Sequence, residues 1–394
     1  MTYFQLIERH YFKAIGNQFG LVDAVGETWK RMKKLTAPAF SLIRLKKSLP
    51  LYDSCSKEMI SYLNTQSDRD IEVDCIEMIK CCTINTLARV GFGMNINTFM
   101  DRENELKKNA DNLFDMLRFT MILFVPKVMS FFKIPFFPQK ATDFIEGVVE
   151  KNIKSRDSEA LDRKDILGTL VKTHKEHRED MTKHILSKTA LQFMADGYTT
   201  TAEQIICTLY FIVVNHNVEE KLREEIDRVL DAKDDPNGDL TEDDINELKY
   251  LDMVFKESMR IAAFGGLPRY CTKSWKIPGS DFLIQKGTTI VIPVSSLQKD
   301  PEYWDDPEEF IPERFSEENK GKIRSGTFFP FGQGPRICLG NSYARILATV
   351  MIIHIIRNFT FEGQDKLPRK LKCGPESFLG PEGGLSIKFK KRDL

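Results

Sequence analysis

Apolar residues recur at helical spacing over residues 42–230, which predicts a chain built mostly from helices. Charged, turn-rich stretches at 65–70, 156–164 and 173–180 predict breaks between them. Two runs, 205–214 and 346–356, are mainly apolar. Each is shorter than the roughly 20 residues that cross a bilayer, so both predict buried core helices. Residues 231–244, DAKDDPNGDLTEDD, read as a solvated acidic loop whose Thr241 and Asp244 are placed to cap one following helix. Leu248, Leu251, Val254 and Phe255 give that helix its apolar stripe. The period then changes. Residues 276–294 carry Pro278, Gly279, Gly287 and the alternating run TTIVIPV, which predicts short strands. Residues 300–340 are rich in proline, glycine and aromatics, and a last helix at 341–357 precedes a terminal strand, LSIKFKK. The reading is mainly α with a small β portion.

Composition narrows the class. Lys plus Arg and Asp plus Glu are equal at 57 each, so no global field recruits nucleic acid. Eight cysteines in 394 residues, with no C-x-x-C pair, are too few for a disulfide scaffold and point to a reducing compartment. Residues 1–17 mix Glu8, Arg9, His10 and Lys13 among apolar positions, unlike a signal peptide or anchor. Residues 119–138 are apolar but interrupted by Pro126, Lys127, Lys133 and Pro135. They read as a helix pair over the core or as a segment dipping into a membrane surface. His174 and His177 (HKEH) sit in a charged stretch and read as solvated, as do His10, His184, His216 and His354. No phosphate loop or dinucleotide fingerprint occurs, so reducing equivalents for any redox chemistry must come from a separate protein.

The chemistry concentrates in Phe331-Gly-Gln-Gly334-Pro-Arg336-Ile-Cys338-Leu-Gly340. One cysteine lies between glycines and opens an apolar helix. Glycines allow a tight backbone whose N–H groups face the sulfur, and the positive end of the helix from Asn341 favours a thiolate. Haem iron accepts such a thiolate. Arg336, two residues before it, is placed to reach a haem propionate. A buried structural cysteine in a glycine turn is the competing reading, and the ten-residue pattern outweighs it.

F-x-x-G-x-R-x-C-x-G resembles the haem-binding signature of the cytochrome P-450 superfamily, with every specified position filled. The resemblance implies a predominantly helical fold, a single haem-thiolate catalytic domain over 1–394, and haem b as cofactor with Cys338 as iron ligand. Phe331, Gly334 and Gly340 would shape the cofactor loop. Glu257-Ser-Met-Arg260 and Pro312-Glu313-Arg314-Phe315 follow the family's order, and Glu257, Arg260 and Arg314 would form a buried ion network. Trp29-Lys-Arg-Met-Lys33 resembles W-x-x-x-R, with Lys33 in place of arginine, so Trp29 and Lys33 would hold a propionate. Arg269 matches a further propionate ligand, one residue short of the usual spacing and without the usual Pro-Pro. Lys30, Arg31 and Lys34 flank the first of these sites as a docking face for an acidic electron donor or as a plain solvated face.

Phe193-Met-Ala-Asp196-Gly197-Tyr198-Thr199-Thr200 resembles A-G-x-(D/E)-T-T of the family's distal helix. Gly197 would open the helix beside the oxygen site, and Thr200 would guide protons. Two positions depart: Thr199 replaces the acid and Asp196 replaces an alanine. Asp196 would stand in for the missing acid, form an ester to a haem methyl, or mark a drifted, inactive copy. The segment from residue 123 to 151 is similar to the animal xenobiotic-metabolising branch that includes the 3A-type enzymes. Relative to that branch the anchor, hinge, first helix and first strands are not visible in this chain.

The expected function is insertion of one atom of O2 into a small apolar substrate, with electrons from NADPH through a separate flavoprotein reductase. By resemblance it would work at the cytosolic face of the endoplasmic reticulum. Phe193, Met194 and Phe264 are the apolar candidates for substrate contact. Two other readings stay open: a haem-thiolate isomerase or dehydratase acting on a peroxide, and a non-catalytic haem-binding protein.

Overall fold

The computed structural model describes residues 4–393 except 6–19, 23, 25, 116, 119, 122–124, 136, 159–163, 237, 264 and 374–378. Phe264 and the charged residues at 8–13 thus lie outside the described residues, as do parts of the 119–138 segment. The main helices are α1 (Gly26–Thr36), α2 (Leu49–Asp68), α3 (Cys75–Thr86), α4 (Ile166–Glu176), α5 (Lys183–Val214), α6 (His216–Asp231), α7 (Glu242–Glu247), α8 (Lys249–Ile261) and α9 (Asn341–Asn358). The strands are β1 (Phe4–Gln5), β2 (Val73–Asp74), β3 (Leu267–Cys271), β4 (Trp275–Lys276), β5 (Leu283–Ile284), β6 (Thr289–Ile292), β7 (Phe359–Glu362) and β8 (Ser386–Lys391). The fold is mainly α with small sheets. Contacts gather into two units interleaved along the chain. One comprises Met1–Ala39, Lys108–Ala195 and Gly265–Val294; the other comprises Phe40–Lys107, Asp196–Phe264 and Ser295–Leu394.

The first unit contains an antiparallel sheet in the order β1–β3–β6 and the β4–β5 hairpin. β6 is the TTIVIPV run, alternating exposed and half-buried residues as its period-2 pattern requires. A Cβ on Gly266 would lie 2.7 Å from Val291 Cγ1, so only glycine allows β3 to enter the sheet so closely. α4 is capped by Asp165, whose carboxylate accepts the N–H of Gly168 at 2.8 Å and pairs with buried Arg156 at 2.6 Å. His174 is not solvated. It is buried in the last turn of α4 with Nδ1 on the carbonyl of Met181, because its position falls on the apolar face of that helix.

The second unit is built around α9, largely buried and packed against α2, α6 and α8. The stretch 205–213 of α5 is buried without exception, its mainly apolar residues joined by Thr208, whose hydroxyl is bonded to Gln204 O and Ser258 Oγ. β2–β8–β7 close one edge as an antiparallel sheet. α2 runs through the expected break at 65–70 as far as Asp68, and the turn comes at Asp70, with φ +52° and its carboxylate held by Lys388 and Lys390 at 2.8 Å each. Thr241 and Asp244 form a reciprocal capping box at the start of α7. The single helix expected there is two. Leu248 leaves the helical region at ψ 74°, and Glu225 of α6 accepts the N–H groups of Tyr250 and Leu251 at 2.7 and 3.0 Å, starting α8 afresh. His354 is also paired rather than solvated, with Nε2 2.7 Å from buried Asp53.

Candidate functional site

The Cys338 loop is shaped by its own backbone. Gly332 N–H donates to Phe329 O at 2.8 Å, and Cys338 N–H donates to Phe331 O at 2.8 Å. Gly332 and Gly334 lie at φ +75° and +77°, a region that side chains disfavour. Nothing lies within 4 Å of a Cβ on Gly334, so backbone conformation alone requires glycine there. Gly340 is different: its φ is −84°, and a Cβ there would touch Cys338 Sγ at 4.0 Å. The loop passes directly into α9, with Asn341 Nδ2 donating to Cys338 O at 2.8 Å and Ala344 N–H to Gly340 O at 3.0 Å.

Cys338 is exposed as a residue, yet enough protein wraps its sulfur that loss of hydration pushes the thiol pKa up. The backbone N–H groups of Gly340 and Asn341 act on the sulfur in the opposite sense, and the Asp196 carboxylate raises the pKa further. This donor set suits a thiolate that a metal ion would deprotonate outright: two amide donors and the start of a helix next to the sulfur. Phe331 and Arg336 are half-buried in the same loop, and Ile337 exposes 43% of its surface.

α5 brings the second half of the site. It continues unbroken through Gly197, with Asp196, Thr199 and Thr200 half-buried and Tyr198 and Thr201 buried. Thr200 Oγ1 donates to the backbone carbonyl of Asp196 at 2.6 Å, the i−4 bond that helical hydroxyls make. The Asp196 charge thus raises the Cys338 thiol pKa, whereas Thr200 engages the main chain of Asp196.

Behind the loop, Glu257 and Arg260 are completely buried. Arg260 Nε donates to Glu257 Oε2 and Nη2 to Oε1, both at 2.8 Å, and Arg314 Nε reaches Oε1 at 3.2 Å. Arg260 also donates to the carbonyls of Gln298, Pro307 and Glu309, and its guanidinium lies 5.1 Å from the Trp304 ring centre. A surface pair is excluded by this burial. Gln298, which the sequence did not single out, joins the network to the loop. Its Nε2 donates to Met259 O and Arg260 O, and its Oε1 accepts the N–H of Phe329 at 3.0 Å. A lone glutamine in an aperiodic stretch carries no signal of that role.

In the first unit, Trp29 is buried in α1 and Lys33 Nζ lies 5.4 Å from its ring centre. Lys30, Arg31 and Lys34 are exposed, and the first two pair with Glu27 and Asp180. Arg269 is half-buried on β3 opposite Ile290, and burial lowers its pKa.

A family model described as cytochrome P450 matches residues 4–389. The chain belongs to the cytochrome P450 family. Cytochrome P450 3A41 of Mus musculus is 31% identical over 382 residues, covering 93% of this chain and 75% of that protein. Cytochrome P450 3A2 of Rattus norvegicus is 30% identical, with 94% and 75% covered. Lithocholate 6-beta-hydroxylase of Mesocricetus auratus is 30% identical, with 93% and 74% covered. This cytochrome P450 is accordingly a haem-thiolate monooxygenase of organic substrates that binds haem iron and works with O2 and a redox partner.

Proposed function

We propose that this cytochrome P450 oxygenates a small apolar substrate with electrons drawn from NADPH through a separate flavoprotein reductase. The observation that carries the reading is the Cys338 sulfur, wrapped by its own glycine loop and faced by the amides of Gly340 and Asn341. Cys338 would hold the haem iron, and Arg336 would meet a propionate. Trp29, Lys33 and Arg269 are assigned to propionates by resemblance alone. Bound haem supplies the activation of O2 that lets one oxygen atom enter the substrate.

The chain's own residues would do the rest. The two amides and the start of α9 stabilise negative charge on Sγ and tune how strongly the sulfur donates. The Glu257–Arg260–Arg314 network and Gln298 fix the loop that carries it. Thr200 would hand on a proton from Oγ1 when that hydroxyl turns away from Asp196 O. Thr199 in place of the family's acid favours an isomerase or dehydratase that needs no proton relay, and in the resting arrangement Thr200 Oγ1 donates to the main chain, which agrees with it.

The exposed Lys30, Arg31 and Lys34 on α1 would receive an acidic electron donor. Val128, Phe131 and Phe132, with 45%, 78% and 66% of their surface exposed, would rest on the cytosolic face of the endoplasmic reticulum membrane. Among the described residues no helix is long and apolar enough to cross a membrane. Reconstitution decides the redox scheme: product should require both NADPH and the reductase. Full turnover with an organic peroxide and no reductase would favour the isomerase or dehydratase.

A further inference from the structure

A second pair of sulfurs lies apart from Cys338. Cys207 is fully buried on α5, about two turns beyond Thr200, and Cys373 is exposed ahead of β8. Both thiols donate to the same acceptor, the carbonyl oxygen of Leu379, at 3.2 and 3.3 Å, so the two sulfurs converge on one atom. Cys373 is held there by its own backbone, bridged antiparallel to Pro381, while Glu382 N–H donates to Lys372 O at 2.7 Å. The buried neighbours Cys55 and Cys82 also approach one another, but neither exposes any surface to a reagent.

We propose that Cys207 and Cys373 are a reversible disulfide site that fastens the backbone at residue 373 to α5. The oxidant is a low-molecular-weight disulfide, R–S–S–R. The exposed Cys373, as thiolate, attacks one sulfur, forming Cys373–S–S–R and releasing RS⁻, which takes up a proton. Cys207 then attacks Cys373 Sγ, loses its own proton, and expels the second RS⁻. Two protein thiols are oxidised, one R–S–S–R is reduced to two RSH, and Leu379 O loses two weak S–H donors. Burial pushes both thiols' pKa values up; the Cys373 sulfur and then Glu203 add to this at Cys207, while Lys299 opposes it at Cys373. High-pKa thiols exchange slowly but make poor leaving groups, which favours a bridge that persists once made.

The test uses the haem-loaded protein treated with oxidised glutathione, then alkylated, digested and mapped by mass spectrometry. The expected result is a peptide joining Cys207 to Cys373, reversed by dithiothreitol, and absent from Cys373→Ser, a surface change that leaves the fold intact. The oxidised parent should also unfold at a higher temperature than the reduced parent, with no such rise in Cys373→Ser. Recovery of Cys373 as a glutathione adduct while Cys207 is still alkylated after denaturation would overturn the proposal. So would two unmodified thiols, or a bridge with no rise in Tm. The carbon monoxide spectrum of the same samples reports on Cys338 alone, so failure of the haem assignment and failure of the bridge are separate results.

Discussion

Replacing Glu257 by Gln removes one charge from the most buried ion network of the second unit while keeping the side chain's shape. Glu257 Oε1 accepts from Arg260 Nη2, Arg314 Nε and the N–H of Ile311, and Oε2 accepts from Arg260 Nε. A glutamine keeps its oxygen where three donors converge, which sets its NH2 against Arg260 Nε, donor against donor. Arg260 is then a guanidinium without exposure whose full counter-charge is gone. Breaking a buried pair in this way costs about 3–5 kcal/mol, a large part of the roughly 5–15 kcal/mol that holds a typical domain together. The comparison is Glu313→Gln, whose partner Lys221 is 57% exposed, and there the loss should stay under about 1 kcal/mol. Urea unfolding gives the stabilities, and haem retained through gel filtration reports on the Cys338 loop, to which Gln298 couples the network. Glu257→Gln within about 1 kcal/mol of the parent, with full haem content, would refute the reasoning.

Thr200→Ala should divert electrons from product into peroxide or water, and Thr199→Ala much less; equal product per NADPH in Thr200→Ala and the parent would remove Thr200 from the reaction. Gly334→Ala should cost about 1–2 kcal/mol in thermal unfolding through its φ of +77° alone, and Gly334→Asn less, since asparagine tolerates that region. An alanine variant as stable as the parent would contradict the strain. Burial raises the pKa of Asp53, but His354 and Lys57 outweigh it and leave the carboxyl below its usual value. A carboxyl depressed by folding stabilises above its unfolded pKa of about 3.9 and loses that contribution as pH falls through the folded value. Asp53→Asn should therefore lower the urea midpoint at neutral pH and flatten its fall below about pH 4; unchanged slopes would exclude Asp53 from acid unfolding.

Elements set by local pattern were readable from the sequence. The mainly apolar runs at 205–214 and 346–356 suit core helices, TTIVIPV alternates as β6 does, and the Thr241–Asp244 box needs residues only three apart. What depends on partners distant in sequence was not readable. The break at Leu248 is made by Glu225 on another helix, and His354 is paired because Asp53, 301 residues away in sequence, meets it. The Cys338 loop belongs to the readable part because its spacing is short and each residue type has a local task. The bond of Thr200 to the carbonyl of Asp196, and the effect of the Asp196 charge on the Cys338 thiol, needed three dimensions. Gln298 shows the limit most clearly, since its four hydrogen bonds, to Met259, Arg260 and Phe329, are all set by the fold.

The central claim, that the Cys338 thiolate holds the haem iron, is tested most directly by the carbon monoxide difference spectrum of the reduced protein. The parent should show the red-shifted band of a thiolate-ligated haem. Cys338→Ser should lose it, because an alcohol ionises far less readily than a thiol. A parent spectrum without that band, or a Cys338→Ser variant that keeps it, would contradict the account.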